Sequence, residues 1–274
     1  MAILPHATTI TVCSQKGGTG KTTTVRTLCD VFRRIGLDVL AVDLDPQGNL
    51  SDYFDVPADA SPTIADVLGG QARAMDAIHD GSVLPANLGL AESELILGGK
   101  MGRELTLKRA LREAKRNYDL VLIDCPPSLG LLTVNALAAA DHALISSEAE
   151  YFSLQGVEQA LEVVELAKES IHPELDWLGI VLNIADLRLV HSREALQQLR
   201  DRFGSKVFDA VIRRSIRYAE SAERGVSILD YAPDLGADYL SLAEELFSRL
   251  GQAEDAARVA GLRAEIAPAQ VSAG

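Results

Sequence analysis

The sequence is poor in cysteine and has no long apolar run. Its 274 residues contain only three cysteines, Cys13, Cys29 and Cys125, which lie far apart within apolar segments. We therefore expect them to be small buried core residues of a protein from a reducing compartment. No stretch approaches the apolar length of a membrane-spanning helix, and residues 1–6 lack the basic and apolar regions of a signal peptide. These absences predict a cytoplasmic protein for which a membrane is not the expected partner.

Net positive charge is also missing. The chain has 39 acidic and 26 basic residues besides five histidines, which gives a formal net charge of −13. This balance argues against a uniformly basic nucleic-acid binder, although it leaves room for a local basic face. A hydrophobic content of 47% with 24% charged residues is typical of a soluble globular protein. The length suits one large α/β domain or two small ones.

A glycine-rich turn between two regular patterns is the most informative stretch. Thr9 to Val12 form an apolar, β-branched run that predicts a strand, and an amphipathic helical pattern later ends at Gly36. A strand, a glycine-rich turn and a helix are the context that a phosphate-binding loop requires. The alternative is a glycine turn without a ligand. The run between the two patterns is Ser14-Gln15-Lys16-Gly17-Gly18-Thr19-Gly20-Lys21-Thr22-Thr23-Thr24.

The residue types of this loop suit a nucleotide, which we expect to be ATP, together with Mg²⁺. Glycines let successive backbone N–H groups point inward, and the following helix adds its free N–H groups and positive dipole end. Lys21 would reach the outer phosphates, and the hydroxyl of Thr22 would help to hold the magnesium ion. The predicted nucleotide-binding residues of the loop are Lys16, Gly17, Gly18, Thr19, Gly20, Lys21, Thr22 and Thr23.

A second lysine distinguishes this loop from the ordinary Gly-x-x-x-x-Gly-Lys-Thr pattern. Gln15 stands where that pattern has its first glycine, and Lys16 begins the run Lys-Gly-Gly-Thr-Gly-Lys-Thr. This run resembles the deviant Walker A motif of the ParA/MinD superfamily. The resemblance implies that Lys16 and Lys21 are catalytic and that Lys16 reaches across to the phosphates held by a second subunit.

A pair of carboxylates follows the second predicted strand. The run from Asp38 to Asp43 is apolar on both faces, as in a buried parallel strand, and Asp45-Pro-Gln-Gly-Asn49 comes next. Carboxylates at the carboxyl end of a strand lie where open α/β sheets place ligand chemistry. The segment is similar to switch I of ParA-type proteins. That similarity implies a role in hydrolysis for Asp45 and a place near the magnesium for Asp43.

A third motif combines a buried strand with a single terminal carboxylate. Tyr118 to Asp124 contain four consecutive apolar residues followed by Asp124, which is the Walker B pattern, so Asp124 is predicted to hold magnesium. The next residues, Cys125 to Gly130, resemble the superfamily's switch II. With Thr22 and Asp43, Asp124 completes the predicted metal site.

Other segments carry weaker signals. The strand Leu178 to Asn183 ends in Asn183, whose amide is predicted to read an adenine edge, the alternative being a turn cap. Residues 52–99 are interrupted by proline and glycine and predict a peripheral layer, with a brief strand at Leu88 to Leu90. The helix predicted from Met101 to Asn117 has a basic face that is either simply solvated or a contact for DNA or a protein. Residues 251–274 are rich in alanine and predict a flexible, frayed or linker-like tail after a single domain at 1–250.

One window is net positive within this acidic chain. Residues 188–224 contain nine basic and five acidic residues. The run from Val211 to Glu220 is similar to the Val-Ile-Pro-Arg-Asn-Val-Arg-Leu-Ser-Glu segment of ParA proteins, although Arg213 replaces its proline. The resemblance implies DNA binding without sequence preference, through neutralisation of phosphates. An ordinary solvated surface is the alternative. The predicted DNA-binding residues are Arg188, Arg214 and Arg217.

Three motifs in the expected order make the resemblance specific, and it extends from about Thr8 to Leu250. It implies a doubly wound, mostly parallel sheet with helices on both faces, of the P-loop ATPase type, closest to the chromosome- and plasmid-partitioning ParA (Soj-like) proteins. It also implies an ATP-sandwich homodimer that binds nucleoid DNA, with a ParB-like or cargo-adaptor protein stimulating slow hydrolysis. The alternatives are a positioning ATPase for a protein cluster, a membrane-cycling MinD-like regulator, and a small-molecule kinase or ligase.

Overall fold

The computed structural model describes residues 7–150 and 153–266, which form an α/β fold around one seven-stranded sheet. All strand pairs of the sheet are parallel, and the strand order is β3-β2-β4-β1-β5-β6-β7. The predicted α/β class and parallel sheet are therefore confirmed. The strands are β1 (Thr8–Cys13), β2 (Val39–Asp43), β3 (Val83–Leu84), β4 (Leu120–Asp124), β5 (His142–Glu148), β6 (Asp176–Ala185) and β7 (Val207–Arg213).

Thirteen α-helices connect and cover these strands in the described ranges. Short helices cluster between β2 and β4, and longer ones follow β5 and β7. The helices are α1 (Lys21–Arg34), α2 (Asn49–Tyr53), α3 (Ile64–Gly69), α4 (Ala74–Ala77), α5 (Gly89–Leu97), α6 (Thr106–Ala114), α7 (Leu131–Ala139), α8 (Ser153–Ser170), α9 (Val190–Phe203), α10 (Arg217–Glu223), α11 (Ile228–Tyr231), α12 (Pro233–Arg249) and α13 (Ala253–Ile266).

The central strands are buried on both faces, which is why they are apolar throughout. In β4, Leu120 and Leu122 pack into the core on the side of α1 and α12, whereas Val121 and Ile123 pack on the side of α6, α7 and α8. The strand β1 lies between β4 and β5, so the chain reverses its direction of travel across the sheet at β1. A crevice at the carboxyl end of such a strand is where doubly wound sheets bind ligands.

The layer between β2 and β4 differs from the prediction. The brief strand predicted at Leu88 to Leu90 is wrong, because Gly89 begins α5 and its N–H donates to the Asn87 side chain at 3.0 Å. The edge strand is Val83–Leu84 instead, paired with β2. The helix predicted from Met101 is also shorter, since a 3₁₀ turn at Arg103–Leu105 precedes α6.

The expectation of a frayed or linker-like tail is wrong for residues 253–266. These residues form α13, which packs against α12 through the fully buried Val259 and the half-buried Leu262. Arg263 adds an ion pair to Glu244 at 2.9 Å. The sequence pattern does not reveal this amphipathic face, because most of the apolar residues of α13 are alanines, whose hydrophobicity differs little from that of polar residues. The remaining residues of the predicted tail, 267–274, lie outside the described residues, and the division at 250 stays a prediction.

Two other expectations concern the cysteines and membrane-spanning helices. All three cysteines are free and buried, as predicted for core residues. Among the helices of the described residues, none combines the length and the apolar character that crossing a bilayer demands.

Candidate nucleotide-binding site

The three motifs meet at the carboxyl edge of the sheet. Register pairs Val12 of β1 and Asp43 of β2 each with Asp124 of β4, so the loops that follow these strands begin side by side. Between these loops and the segments after β6 and β7 lies a cleft of about 1010 Å³. Its size is that of a site for a large organic ligand. The parallel sheet therefore brings together residues from distant parts of the sequence, and the cleft is lined by residues from Gly17 to Tyr239.

The loop between β1 and α1 has the backbone shape that its glycines allow. Gly18 and Gly20 have φ angles of +75° and +83°, a region that residues with a side chain rarely adopt. At Gly20 a Cβ atom would also lie 3.2 Å from Cγ of Asn183. The backbone conformation therefore favours glycine at position 20, and a side chain there would also have to displace the Asn183 side chain by a few tenths of an ångström.

Lys21 is held by the loop itself. Only 6% of the residue is exposed, and its Nζ donates to Oγ of Ser14 and to the carbonyl oxygen of Lys16, both at 3.1 Å. Ser14 also donates to the Lys16 carbonyl at 2.8 Å and bonds with the Thr19 hydroxyl at 2.9 Å. The ammonium group is therefore preorganised inside a curl of backbone, the arrangement that receives phosphate oxygens.

Asp124 has an unsatisfied oxygen that fits a cation. The residue is fully buried; its Oδ2 accepts a hydrogen bond from Oγ1 of Thr22 at 2.6 Å, while Oδ1 has no partner among the described residues. Burial, and then the neighbouring charge of Asp43, raise the pKa of Asp124 well above its ordinary value. A bound Mg²⁺ would remove both costs, because it neutralises the carboxylates and supplies the missing contact. Thr22 and Asp124 thus fit the predicted magnesium site.

Unlike Asp124, Asp43 has no unpaired oxygen, because both of its carboxylate oxygens accept hydrogen bonds. Oδ1 accepts the N–H of Asp45 at 3.0 Å, and Oδ2 accepts the N–H and the hydroxyl of Ser51 at 3.0 and 2.8 Å. Burial raises the pKa of Asp43 to about 6. The carboxylate therefore anchors the turn that carries Asp45, and it adds negative charge beside Asp124.

This pair of carboxylates should make the magnesium-free protein less stable as the pH rises. Because the folded-state pKa of Asp43 lies above the ordinary 3.8, the folded chain binds its proton more tightly than the unfolded chain does. The stabilisation that protonated Asp43 contributes is therefore complete below about pH 4 and is lost as the pH rises through about 6. Asp124→Asn should relieve the repulsion and raise the free energy of unfolding at pH 7.5 by on the order of 1 kcal/mol, about 2–4 °C in melting temperature.

Thermal unfolding without magnesium or nucleotide, at pH 5 and pH 7.5, measures this effect. Asp52→Asn, at an exposed carboxylate of the same segment, is the matched control and should leave the pH dependence unchanged. A variant Asp124→Asn that is less stable than the wild type at pH 7.5 would contradict this view of the site.

Asn183 lies beneath the loop at the end of the cleft. Its Nδ2 donates to Oγ of Ser146 at 2.7 Å, and its Oδ1 is buried without a partner among the described residues. The Ser146 hydroxyl in turn donates to the carbonyl oxygen of Thr19 at 2.6 Å. The turn-cap alternative does not describe this geometry, because the side chain points into the fold. The unpaired Oδ1 of Asn183 could accept a hydrogen bond from the amino group of a ligand. The predicted contact of Asn183 with adenine is compatible with this geometry and stays a prediction.

Asp45 and Lys16 occupy the outer parts of the site. Asp45 is half-buried beside the cleft, and its Oδ1 accepts the N–H of Gln47 at 3.0 Å. Lys16 is exposed at the start of the loop, and its positive charge acts on Glu148 at the end of β5. Lys16 is therefore an exposed cation at the start of the phosphate-binding loop.

The three predicted DNA-binding arginines lie at the ends of β6 and β7, on the same edge of the sheet as the cleft. Arg188 is exposed but makes a two-pronged ion pair with Asp186, and Arg217 pairs with Asp234 at 3.1 Å. Arg214 is exposed and makes no ion pair in the part of the chain that the structure describes. The N–H of Arg214 donates to the carbonyl oxygen of Ala185 at 3.0 Å, so the ends of β6 and β7 adjoin, and the Arg214 charge acts on Asp186 and Glu148 without a direct ion pair among the described residues.

Two residues of the cleft wall were missed by the sequence reasoning. Arg26 on α1 and Tyr53 on α2 both line the cleft. The available signal was a charged residue between Val25 and Thr27, within the segment of α1 that is buried. A buried arginine next to a phosphate-binding loop needs a partner, and nothing local in the sequence supplies one.

Comparison with known proteins identifies relatives of this chain by sequence and by structure. The family model described as "AAA domain" matches residues 7–177. The chain is 39% identical to the sporulation initiation inhibitor protein Soj of Bacillus subtilis over 245 residues, covering 86% of this chain and 97% of that protein. It is 38% identical to the chromosome partitioning protein ParA of Caulobacter vibrioides (strain NA1000 / CB15N), with 88% and 94% covered.

Two solved structures extend the likeness to nucleotide-bound proteins. Cobyrinic acid a,c-diamide synthase from Mycobacterium smegmatis, with bound ATP analogue and magnesium, is 36% identical with a TM-score of 0.72, covering 79% of this chain and 93% of that one. The septum site-determining protein MinD of Pyrococcus horikoshii, complexed with Mg-ADP, is 26% identical with a TM-score of 0.72, covering 89% and 98%. With this identity over most of both chains, and with its loop and carboxylates in place, the chain belongs to the ParA/Soj family of partitioning ATPases.

Proposed function

We propose that this ATPase is a nucleotide-operated dimer switch that binds DNA without sequence preference and positions DNA or another cargo. The observation that supports it most strongly is the arrangement of one edge of the sheet. The phosphate-binding loop, the exposed Lys16 and the exposed Arg214 all open on the same side. A second subunit docking on that side would meet the nucleotide and align two sets of basic residues.

Each residue of the site has a defined task in this switch. The backbone of residues 16–23 and Lys21 bind and orient the phosphates, and Thr22 and Asp124 would hold a magnesium ion that neutralises their charge. Asp45 orients the attacking water, because it stands beside the cleft on a turn anchored by Asp43. Lys16 would neutralise charge on the partner's phosphates, like an arginine finger supplied in trans.

Dimerisation connects nucleotide binding to DNA binding. Two copies of a weak basic face, held in one dimer, contact more phosphates than either copy alone, which increases both affinity and salt dependence. When hydrolysis removes the contacts that hold the segments after β2 and β4, the dimer separates and releases DNA. We expect a homodimer with ATP, nucleoid DNA as the surface, and a ParB-like or cargo-adaptor protein that stimulates hydrolysis.

The central test is binding to random duplex DNA with ATP, with ADP and without nucleotide across a salt series. Binding should occur with ATP only. Arg214→Ala should lower the affinity and reduce the slope of log K against log salt by about 1 for each phosphate that is no longer neutralised, or about 2 for a dimer. Arg73→Ala, at an exposed arginine outside both residues 188–224 and the basic helix that includes α6, is the control and should leave the slope unchanged. Absence of DNA binding in all three states would overturn the proposal.

A small-molecule ligase is the second candidate, because the similar structure of 36% identity is that of a cobyrinic acid a,c-diamide synthase. The exposed Lys16 has no evident task in such an enzyme. ATP hydrolysis that depends on cobyrinic acid and an ammonia source, but not on DNA or a protein partner, would favour this candidate over the dimer switch.

A further inference from the structure

Arg26 is a buried, positively charged residue of α1 whose side chain contacts the helix α10. The residue is 4% exposed, and its Nη2 donates to the carbonyl oxygen of Tyr218 at 2.5 Å and to Oγ of Ser221 at 3.2 Å, both in α10. No carboxylate lies within ion-pair distance of Arg26 in the described part of the chain. Burial lowers its pKa. The guanidinium is therefore held by the backbone of α10, and it sets where α10 lies relative to the phosphate-binding helix.

The same guanidinium also contacts an aromatic ring of α2. Arg26 Cζ lies 4.7 Å from the ring centroid of Tyr53, the last residue of α2, close enough for a cation–π contact. The Tyr53 hydroxyl donates to Oδ2 of Asp30 on α1 at 2.6 Å. In the middle of α2, Ser51 donates its N–H and hydroxyl to Asp43. The helix α2 is thus held to the carboxylate of Asp43 through Ser51 and to Arg26 through its last residue, Tyr53.

The helix α10 connects this contact to the basic face. It begins at Arg217, three residues after Arg214, and the turn at its end places Gly225 beside the carboxylate of Asp55, just beyond α2. The ends of α2 and α10 are therefore neighbours, with the Arg26 side chain packed between the two helices. A displacement of α2 would disturb the packing of α10 directly.

We propose that Arg26 and Tyr53 are positioning residues that couple the nucleotide-sensing segment after β2 to α10, so that the nucleotide state sets the arrangement of Arg214 and Arg217. This inference rests on the proposed function, in which those arginines contact DNA. Moving the guanidinium away from Tyr53 or from the Tyr218 carbonyl breaks a cation–π contact or a hydrogen bond from a charged donor, so the three helices are expected to move together. Because coupling is reciprocal, DNA should also tighten ATP binding by the factor by which ATP tightens DNA binding.

Two variants and one control test the coupling. Arg26→Met keeps the aliphatic stem but removes the donors and the charge, and Tyr53→Phe keeps the ring but removes the bond to Asp30. Arg33→Met is the matched control, because Arg33 lies on the same helix and stacks on Phe54 at 4.8 Å, yet it donates to Val39 and Ser82 carbonyls rather than to α10. Unfolding temperatures identify any variant that does not fold.

The first measurement is amide hydrogen exchange of residues 217–224 with and without a non-hydrolysable ATP analogue, and it does not involve DNA. ATP should change the exchange of this segment in the wild type and in Arg33→Met, and Arg26→Met should no longer show the change. The second is the ratio of DNA affinities with ATP and with ADP, which should fall about tenfold in Arg26→Met and by a smaller factor in Tyr53→Phe.

The outcomes separate the two proposals. A wild type that shows the exchange response but binds no DNA would overturn the proposed function and leave the coupling supported. A wild type that binds DNA with ATP, together with an Arg26→Met variant whose exchange response and affinity ratio are unchanged, would overturn the coupling alone. Equal reductions in Arg33→Met would also overturn it, because they would show a general effect of removing cations from α1.

Discussion

Lys16→Ala should abolish ATP-dependent dimerisation, and with it DNA binding, while ADP binding is retained. The expected separation of the two effects follows from the different uses of the Lys16 backbone and side chain. The loop uses the carbonyl oxygen of Lys16, which accepts from Ser14 and Lys21, and alanine keeps that carbonyl. The substitution removes the exposed side chain, and with it the charge that would face the partner's phosphates. Light scattering with ATP and with ADP, alongside a titration with labelled ADP, measures the two properties.

Gln15→Ala provides the control for Lys16→Ala, because Gln15 is exposed at the adjacent position and carries no charge. It should dimerise with ATP as the wild type does. If Lys16→Ala still formed an ATP-dependent dimer with unchanged affinity, Lys16 would have no role across the interface, and the dimer switch as described would be wrong.

Asp45→Ala should have the opposite effect and trap an ATP-bound dimer on DNA. The N–H of residue 45 that donates to Asp43 belongs to the backbone, so alanine leaves this anchor intact. The carboxylate that alanine removes accepts only the N–H of Gln47 among the hydrogen bonds of the described residues. Nucleotide binding and dimerisation should therefore persist, whereas hydrolysis should fall by about 100-fold or more, the range for removal of a group that acts on the proton of the nucleophile.

Single-turnover hydrolysis and the lifetime of the DNA complex after dilution into ADP measure the effect of Asp45→Ala. Asp59→Ala is the control, since Asp59 is an exposed carboxylate further along the segment after β2 and does not line the cleft. It should hydrolyse ATP at close to the wild-type rate. An Asp45→Ala variant that is monomeric with ATP would show that Asp45 supports assembly rather than hydrolysis.

Both predictions start from motifs that short-range sequence rules identify well. Gly18 and Gly20 are recognisable because their positive φ angles exclude other residues, and Asp43 and Asp124 are recognisable because each ends an apolar strand. Where the rules depend on contrast between apolar and polar residues, they failed. The alanine-rich sequence of α13 predicts a frayed tail, and the run Leu88 to Leu90 predicts a strand, whereas α5 begins at Gly89 and the edge strand lies earlier, at Val83–Leu84.

The sequence alone thus determined the parallel α/β architecture, the phosphate-binding loop and the residues that end β2 and β4, because strand burial and backbone geometry are local requirements. Only the tertiary structure decided how those residues are used. The free oxygen of Asp124, the doubly engaged carboxylate of Asp43 and the reach of Arg26 to Tyr218, 192 positions away, depend on which side chains the sheet brings together. Contacts over such distances leave no periodic signal in the chain, since each partner looks ordinary in its own neighbourhood.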